Sequence, residues 1–138
     1  MASRHQAIVW KVISDWSKNK KGRLYCMNQG LAVPVNADHP IWFGPLKRNF
    51  KGFPDVFGFE YSEYCVYENY QYNKVQVPVF AVVEVKVPPD KPRPEQIEKL
   101  NFYESIGAHA YLAVADDIID DGYILRTWGK YKELYLKV

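Results

Sequence analysis

Apolar side chains recur at Val9, Val12, Ile13 and Trp16, the rhythm of a helix over residues 3–17 that turns one face to a core. Ser3 stands three residues before Gln6, the S-x-x-E/Q spacing of a capping box, which predicts the helix start. The stripe dissolves into Lys18-Asn19-Lys20-Lys21-Gly22, a polar turn, and residues 23–27 then read as a short strand. Residues 28–51 are irregular, punctuated by Pro34, Pro40, Gly44 and Pro45, with Trp42, Phe43 and Phe50 interleaved with Lys47, Arg48 and Lys51. A strand over 55–60 follows Gly52-Phe53-Pro54. Five tyrosines crowd residues 61–72, where a hairpin arm and a loop both fit. Residues 75–87 carry the strongest strand pattern, rich in β-branched side chains and without a charge between Lys74 and Glu84. Pro88-Pro89 breaks it. Pro94 suits the first turn of a helix and Gly107 its C-cap. Residues 109–114 read as a buried strand, 115–121 as an acidic short helix or turn, and 123–138 as strand in part. Helices and strands mixed in this order around one sheet predict an α/β or α+β fold.

Length and composition narrow the class. With 138 residues, 48% hydrophobic and 25% charged, the chain predicts one compact domain over residues 1–138. The net charge of +2 excludes a polybasic protein that binds nucleic acid by bulk charge. That total hides an asymmetry: residues 1–51 hold nine Lys/Arg against two acids, and the rest hold nine against fourteen. Cys26 and Cys65 stand apart, without metal-ligand spacing, so reduced thiols and a cytoplasmic setting are expected. Lys11 interrupts the first apolar stretch, and an apolar run such as 79–83 is strand-sized, so no membrane partner is expected. His5, His39 and His109 are too scattered to suggest a metal cluster.

Candidate chemistry gathers at the end of the best strand. Glu84 and Lys86 are two apart, so both project from one face, the face of Phe80 and Val82. A core strand that switches to Glu-x-Lys at its exit must pair those charges or bind an ion. Asp55, opening its own strand, could bring a second carboxylate alongside. Two hard oxygen ligands suit Mg²⁺, with the Val85 carbonyl as a third protein ligand and Lys86 placed to hold the attacking water. The triplet alone favours a structural ion pair at a strand end.

Pro54-Asp55 followed by Glu84-Val85-Lys86 resembles the PD-(D/E)XK nuclease superfamily. The likeness is closest to its virus-type replication-repair nuclease (VRR-NUC) branch in stand-alone form. It rests on Gly52-Phe53-Pro54-Asp55-Val56-Phe57-Gly58-Phe59, on Phe80-Ala81-Val82-Val83-Glu84-Val85-Lys86, on Gln96 in the next helix, and on Gly107 leading into a strand. The resemblance spans about residues 4–120. It implies a restriction-endonuclease-like core, a central mixed sheet flanked by helices. It also implies a Mg²⁺-dependent deoxyribonuclease, with Mn²⁺ able to substitute and a homodimer acting on branched DNA such as Holliday junctions. Asp55, Glu84, Lys86 and Gln96 match the active-site motif, with Asp55, Glu84 and the Val85 carbonyl on the metal. Many relatives carry a glutamate early in the first helix. Here Gln6 is the nearest counterpart, able to ligate through its amide oxygen without bringing charge, and it also reads as a capping residue.

The basic residues divide into Lys18, Lys20, Lys21 and Arg23 after the first helix, and Lys47, Arg48 and Lys51 before Asp55. Both groups are candidates for phosphate contact, though a solvated turn explains the first as well. Two other function classes stay open: a nucleic-acid-binding protein that kept the fold and lost hydrolysis, and a protein-interaction module built on residues 61–72.

Overall fold

The computed structural model describes residues 3–26, 30–32, 41–43 and 51–131. In chain order these form α1 (Arg4–Lys18), β1 (Gly22–Cys26), β2 (Gly30–Ala32), β3 (Ile41–Phe43), β4 (Val56–Glu68) and β5 (Gln71–Lys86). Then come α2 (Pro94–Ser105), β6 (His109–Ala115), β7 (Tyr123–Thr127) and a short α3 (Trp128–Tyr131). Five strands make one sheet in the order β1-β4-β5-β6-β7, and β2 pairs with β3 separately. Every neighbour in the five-stranded sheet is antiparallel except β5 and β6, joined in parallel through the crossover helix α2. The fold is α+β with a mixed sheet.

The hydrophobic pattern explains the layers. On one face, Ile8, Val9, Val12 and Trp16 of α1 pack on Val56, Ala81, Val83, Val85, Ala113 and Ala115. On the other, Leu100 of α2 and Trp128 of α3 close over Val82 and Ala110, flanked by Phe57, Ile97 and Tyr103. The middle of β5 is buried on both faces from Ala81 to Val85, which is why that stretch reads as a near-continuous apolar run. Ser3 caps α1, its Oγ accepting from the Gln6 backbone N–H at 3.1 Å.

The tyrosine-rich segment is a hairpin arm. β4 and β5 stay paired from Val56↔Val83 out to Glu68↔Gln71, both longer than the expected strands over 55–60 and 75–87. Asn69 and Tyr70, with φ of 52° and 64°, make the left-handed two-residue turn that matches strand twist. Beyond the sheet the ribbon has solvent on both faces, and Tyr67 and Tyr72 meet across the strands with tilted rings, centroids 4.9 Å apart. Residues 115–121 are not helical past the end of β6. Asp116 Oδ1 accepts from the Ile118 N–H at 2.9 Å, a side-chain turn that competes with helix, and Gly122 at φ +79° leads into β7. Strand gives way to helix at Trp128, whose indole N–H donates to Asn101 Oδ1 at 2.8 Å. Among the described residues no helix is long and apolar enough to cross a membrane.

Candidate active site

The site forms where β4 stops. Its last rung with β5 is Val56↔Val83, because Pro54 has no N–H to extend the ladder. The next peptide group of β5 on that side must find other partners. The Val85 N–H donates to Asp55 Oδ2 at 2.9 Å, and the Val85 carbonyl oxygen lies 3.1 Å from His5 Nε2. His5 Nε2 is also 3.2 Å from Asp55 Oδ2, so a helix, a strand end and a turn meet at one carboxylate.

Glu84 lies on the α2 side of the same strand, 1% exposed. Lys86 Nζ sits 3.6 Å from Glu84 Oε1, with its side chain only 12% exposed, and no donor among the described residues reaches Glu84 Oε2. Asp55 and Glu84 approach within hydrogen-bonding reach of one another. Burial pushes the Glu84 carboxyl well above the usual range, and the neighbouring Asp55 charge adds to this against the weaker pull of Lys86. Burial also acts to raise Asp55, but hydrogen bonds from His5, Glu84 and the Val85 N–H outweigh it and hold Asp55 below the usual range. The hydrogen bond to Asp55 raises His5 above its ordinary value against partial burial. The two shifts run in opposite directions, so burial biases Glu84 toward its neutral form while the hydrogen bonds bias Asp55 toward its charged form.

A close approach joins α2 to this corner. Gly52 adopts φ +79°, and a Cβ there would lie 2.3 Å from the Glu95 carbonyl oxygen, so only glycine lets the turn that presents Asp55 rest on the first turn of α2. Gln96, buried, occupies that turn, its Oε1 accepting from the Arg93 N–H at 2.9 Å.

Asp55, Glu84, Val85 and Lys86 thus converge, with Gln96 in the adjoining turn. Gln6 does not join them: among the described residues no hydrogen bond links its side chain to either carboxylate, and its backbone serves the helix cap. The residue that meets Asp55 is its neighbour His5, which spacing along the chain leaves isolated from the other histidines. A signal for it exists in the helix pattern. His5 precedes Ile8, Val9, Val12 and Trp16 by three, four, seven and eleven positions, at the centre of the buried stripe, whereas Gln6 lies about 100° further round. Arg4, for which the sequence pattern offers no role, reaches Asp117 Oδ1 at 2.5 Å.

The basic residues fall in different places. Lys18, Lys20, Lys21 and Arg23 are exposed at the far end of α1, about 20 Å along the helix from His5. Lys21 Nζ sits 5.2 Å over the Trp16 ring. Lys51 is exposed, four residues before Asp55. Lys47 and Arg48 lie outside the described residues.

Among the described residues no three His, Cys, Asp or Glu side chains converge closely enough to hold a metal by themselves. A divalent cation here would draw on Asp55, the donor-less Glu84 Oε2, the Val85 carbonyl and water. The chemistry fits, since the buried Glu84 stands beside Asp55 with its Oε2 lacking a donor, and a cation between the two carboxylates would offset the charge that burial disfavours. The chain matches no protein-family model and no curated protein.

Proposed function

We propose that the protein is a divalent-cation-dependent DNA endonuclease with a restriction-endonuclease-like core, of the VRR-NUC kind. The observation that carries this reading is the meeting of Asp55 and Glu84 at adjacent strand ends, with Lys86 Nζ 3.6 Å from Glu84. Asp55, Glu84 and the Val85 carbonyl would hold Mg²⁺, or Mn²⁺ in its place, which when bound supplies Lewis-acid polarisation of the scissile phosphate. Lys86 orients a water for attack on phosphorus and offsets the negative charge that develops there. The partial burial of its ammonium keeps it beside Glu84 instead of free in solvent. Gln96 caps α2 through its Oε1 at the turn on which Gly52 rests, and would support the site from there. Hydrolysis consumes one water and breaks one phosphorus–oxygen ester bond.

The far basic turn serves affinity, not chemistry. About 20 Å corresponds to roughly six base pairs along a duplex, so Lys18, Lys20, Lys21 and Arg23 would touch backbone well away from the cut. Lys51 would touch it near the cut. A homodimer, presenting two sites to a branched substrate such as a four-way junction, is the assembly that matches the resemblance.

One observation favours a second reading, a nucleic-acid-binding protein without hydrolysis. Asp55 is already satisfied by the Val85 N–H and His5, with no carboxylate at Gln6 to strengthen a cation site. A panel of linear, flapped, nicked and four-way junction DNA with Mg²⁺ or Mn²⁺ separates the two. The nuclease reading expects cleavage that disappears in Glu84→Ala and Lys86→Ala while binding persists. DNA binding without cleavage of any structure by the wild type, with either ion, would overturn it in favour of the second.

A further inference from the structure

We infer that His5 is a direct ligand of the divalent cation, so that the site is a mixed nitrogen–oxygen site selecting Mn²⁺ over Mg²⁺. This rests on the reading of Asp55 and the Val85 carbonyl as a cation site. His5 Nε2 lies 3.1 Å from the Val85 carbonyl oxygen and 3.2 Å from Asp55 Oδ2. In an octahedral site with bonds of about 2.1 Å, neighbouring donors stand about 3 Å apart, which matches both spacings. All three atoms belong to groups already fixed by the fold. His5 is held by the capped first turn of α1, Val85 by the central strand, and Asp55 by the Val85 N–H. The imidazole adds to Asp55, Glu84 and the Val85 carbonyl the donor from α1 that Gln6 does not supply, and it does so with nitrogen once Nε2 gives up the proton it directs at them. Mg²⁺ prefers an all-oxygen shell, whereas imidazole suits first-row transition ions, so exchanging a carboxylate oxygen for a ring nitrogen moves selectivity toward Mn²⁺.

Pulsed electron paramagnetic resonance of the full chain with one equivalent of Mn²⁺ reads the ligand directly, without turnover. The expected result is nitrogen modulation from a directly bound imidazole, lost in His5→Ala and in the less disruptive His5→Gln. Removing even an outer-sphere partner of a ligand costs about 10–100-fold in metal affinity, so both variants should weaken Mn²⁺ binding by at least roughly tenfold. Mg²⁺ affinity, measured by calorimetry, should fall less. His5→Glu should narrow the Mn²⁺ preference by restoring an oxygen donor. Mn²⁺ bound in an Asp55-dependent manner without nitrogen modulation would overturn the His5 assignment and leave the cation site standing. No Mn²⁺ binding by the folded wild type at millimolar concentration would overturn both.

Discussion

Replacing Glu84 with Gln removes a buried acid while keeping its shape, and the consequence for stability has a definite sign. Glu84 is held well above its unfolded-state pKa of about 4.3, because burial and the Asp55 charge both disfavour ionisation. Its stabilising contribution is therefore complete at low pH and is lost as pH rises toward the folded-state value. Each pH unit inside that interval lowers the unfolding free energy by about 1.4 kcal/mol. Two neighbours titrate outside the window. Asp55, held below its ordinary value, loses its contribution only as pH falls below about 4. His5, held above its ordinary value, loses its contribution only as pH rises past about 6.5. Between pH 5 and 6 the slope belongs to Glu84. Urea unfolding followed by tryptophan fluorescence is suited to the measurement, since Trp16 and Trp128 are buried. With a urea slope of about 2 kcal/mol/M, the wild-type midpoint should fall over that unit, by at most roughly 0.7 M, in metal-free buffer. Glu84→Gln should stay level. Parallel midpoint-against-pH plots for the two proteins would show that burial does not hold Glu84 above its ordinary range and would refute the reasoning.

Three further outcomes follow from the packing and the charge layout. Leu100→Ala empties a fully buried position between α2 and the sheet, and should cost about 2–5 kcal/mol, read as a urea midpoint lowered by about 1 M or more. Gly52→Ala places a Cβ against the Glu95 carbonyl at a positive φ, so it should lose more than about 1 kcal/mol of stability by the same assay, and in a cleavage assay more activity than Lys51→Ala. Neutralising Lys18, Lys20 and Lys21 should weaken DNA binding and flatten its log–log salt slope by about 0.9 for each phosphate that the protein no longer neutralises, with kcat unchanged. Fluorescence anisotropy across a salt series and single-turnover cleavage would register both.

Local pattern makes much of the fold legible. The stripe of α1, the doubly buried run of β5 and the Pro94-to-Gly107 bracket around α2 each follow from residues within one element. Glu84 and Lys86 share a face because strand geometry demands it. What escapes the sequence depends on contacts between distant segments. Nothing within a few positions of His5 announces Asp55, fifty residues away, and the link exists only because α1 lies over the end of β4. The distance between Lys18–Arg23 and the carboxylates is a property of helix length that clustering in sequence conceals. The arm is ambiguous in sequence because tyrosines spaced mostly three apart lack the strict alternation of a half-buried strand, and they satisfy a strand or a loop until a partner strand is specified. The acidic stretch after β6 suits helix and turn alike until Asp116 bonds its own backbone and decides for the turn.

The β4–β5 ribbon also acts as a ruler. Asp55 and Glu84 are 29 residues apart, yet their alignment is set by one uninterrupted ladder that turns at Asn69-Tyr70. From that turn to the Val56↔Val83 rung is about 40 Å of paired strand. One residue gained or lost at the tip would slide the two strands out of step and, through the alternation of faces, send Glu84 toward α1 and away from α2. The spacing of two carboxylates at one end of the molecule is in this sense measured out from a two-residue bend at the other.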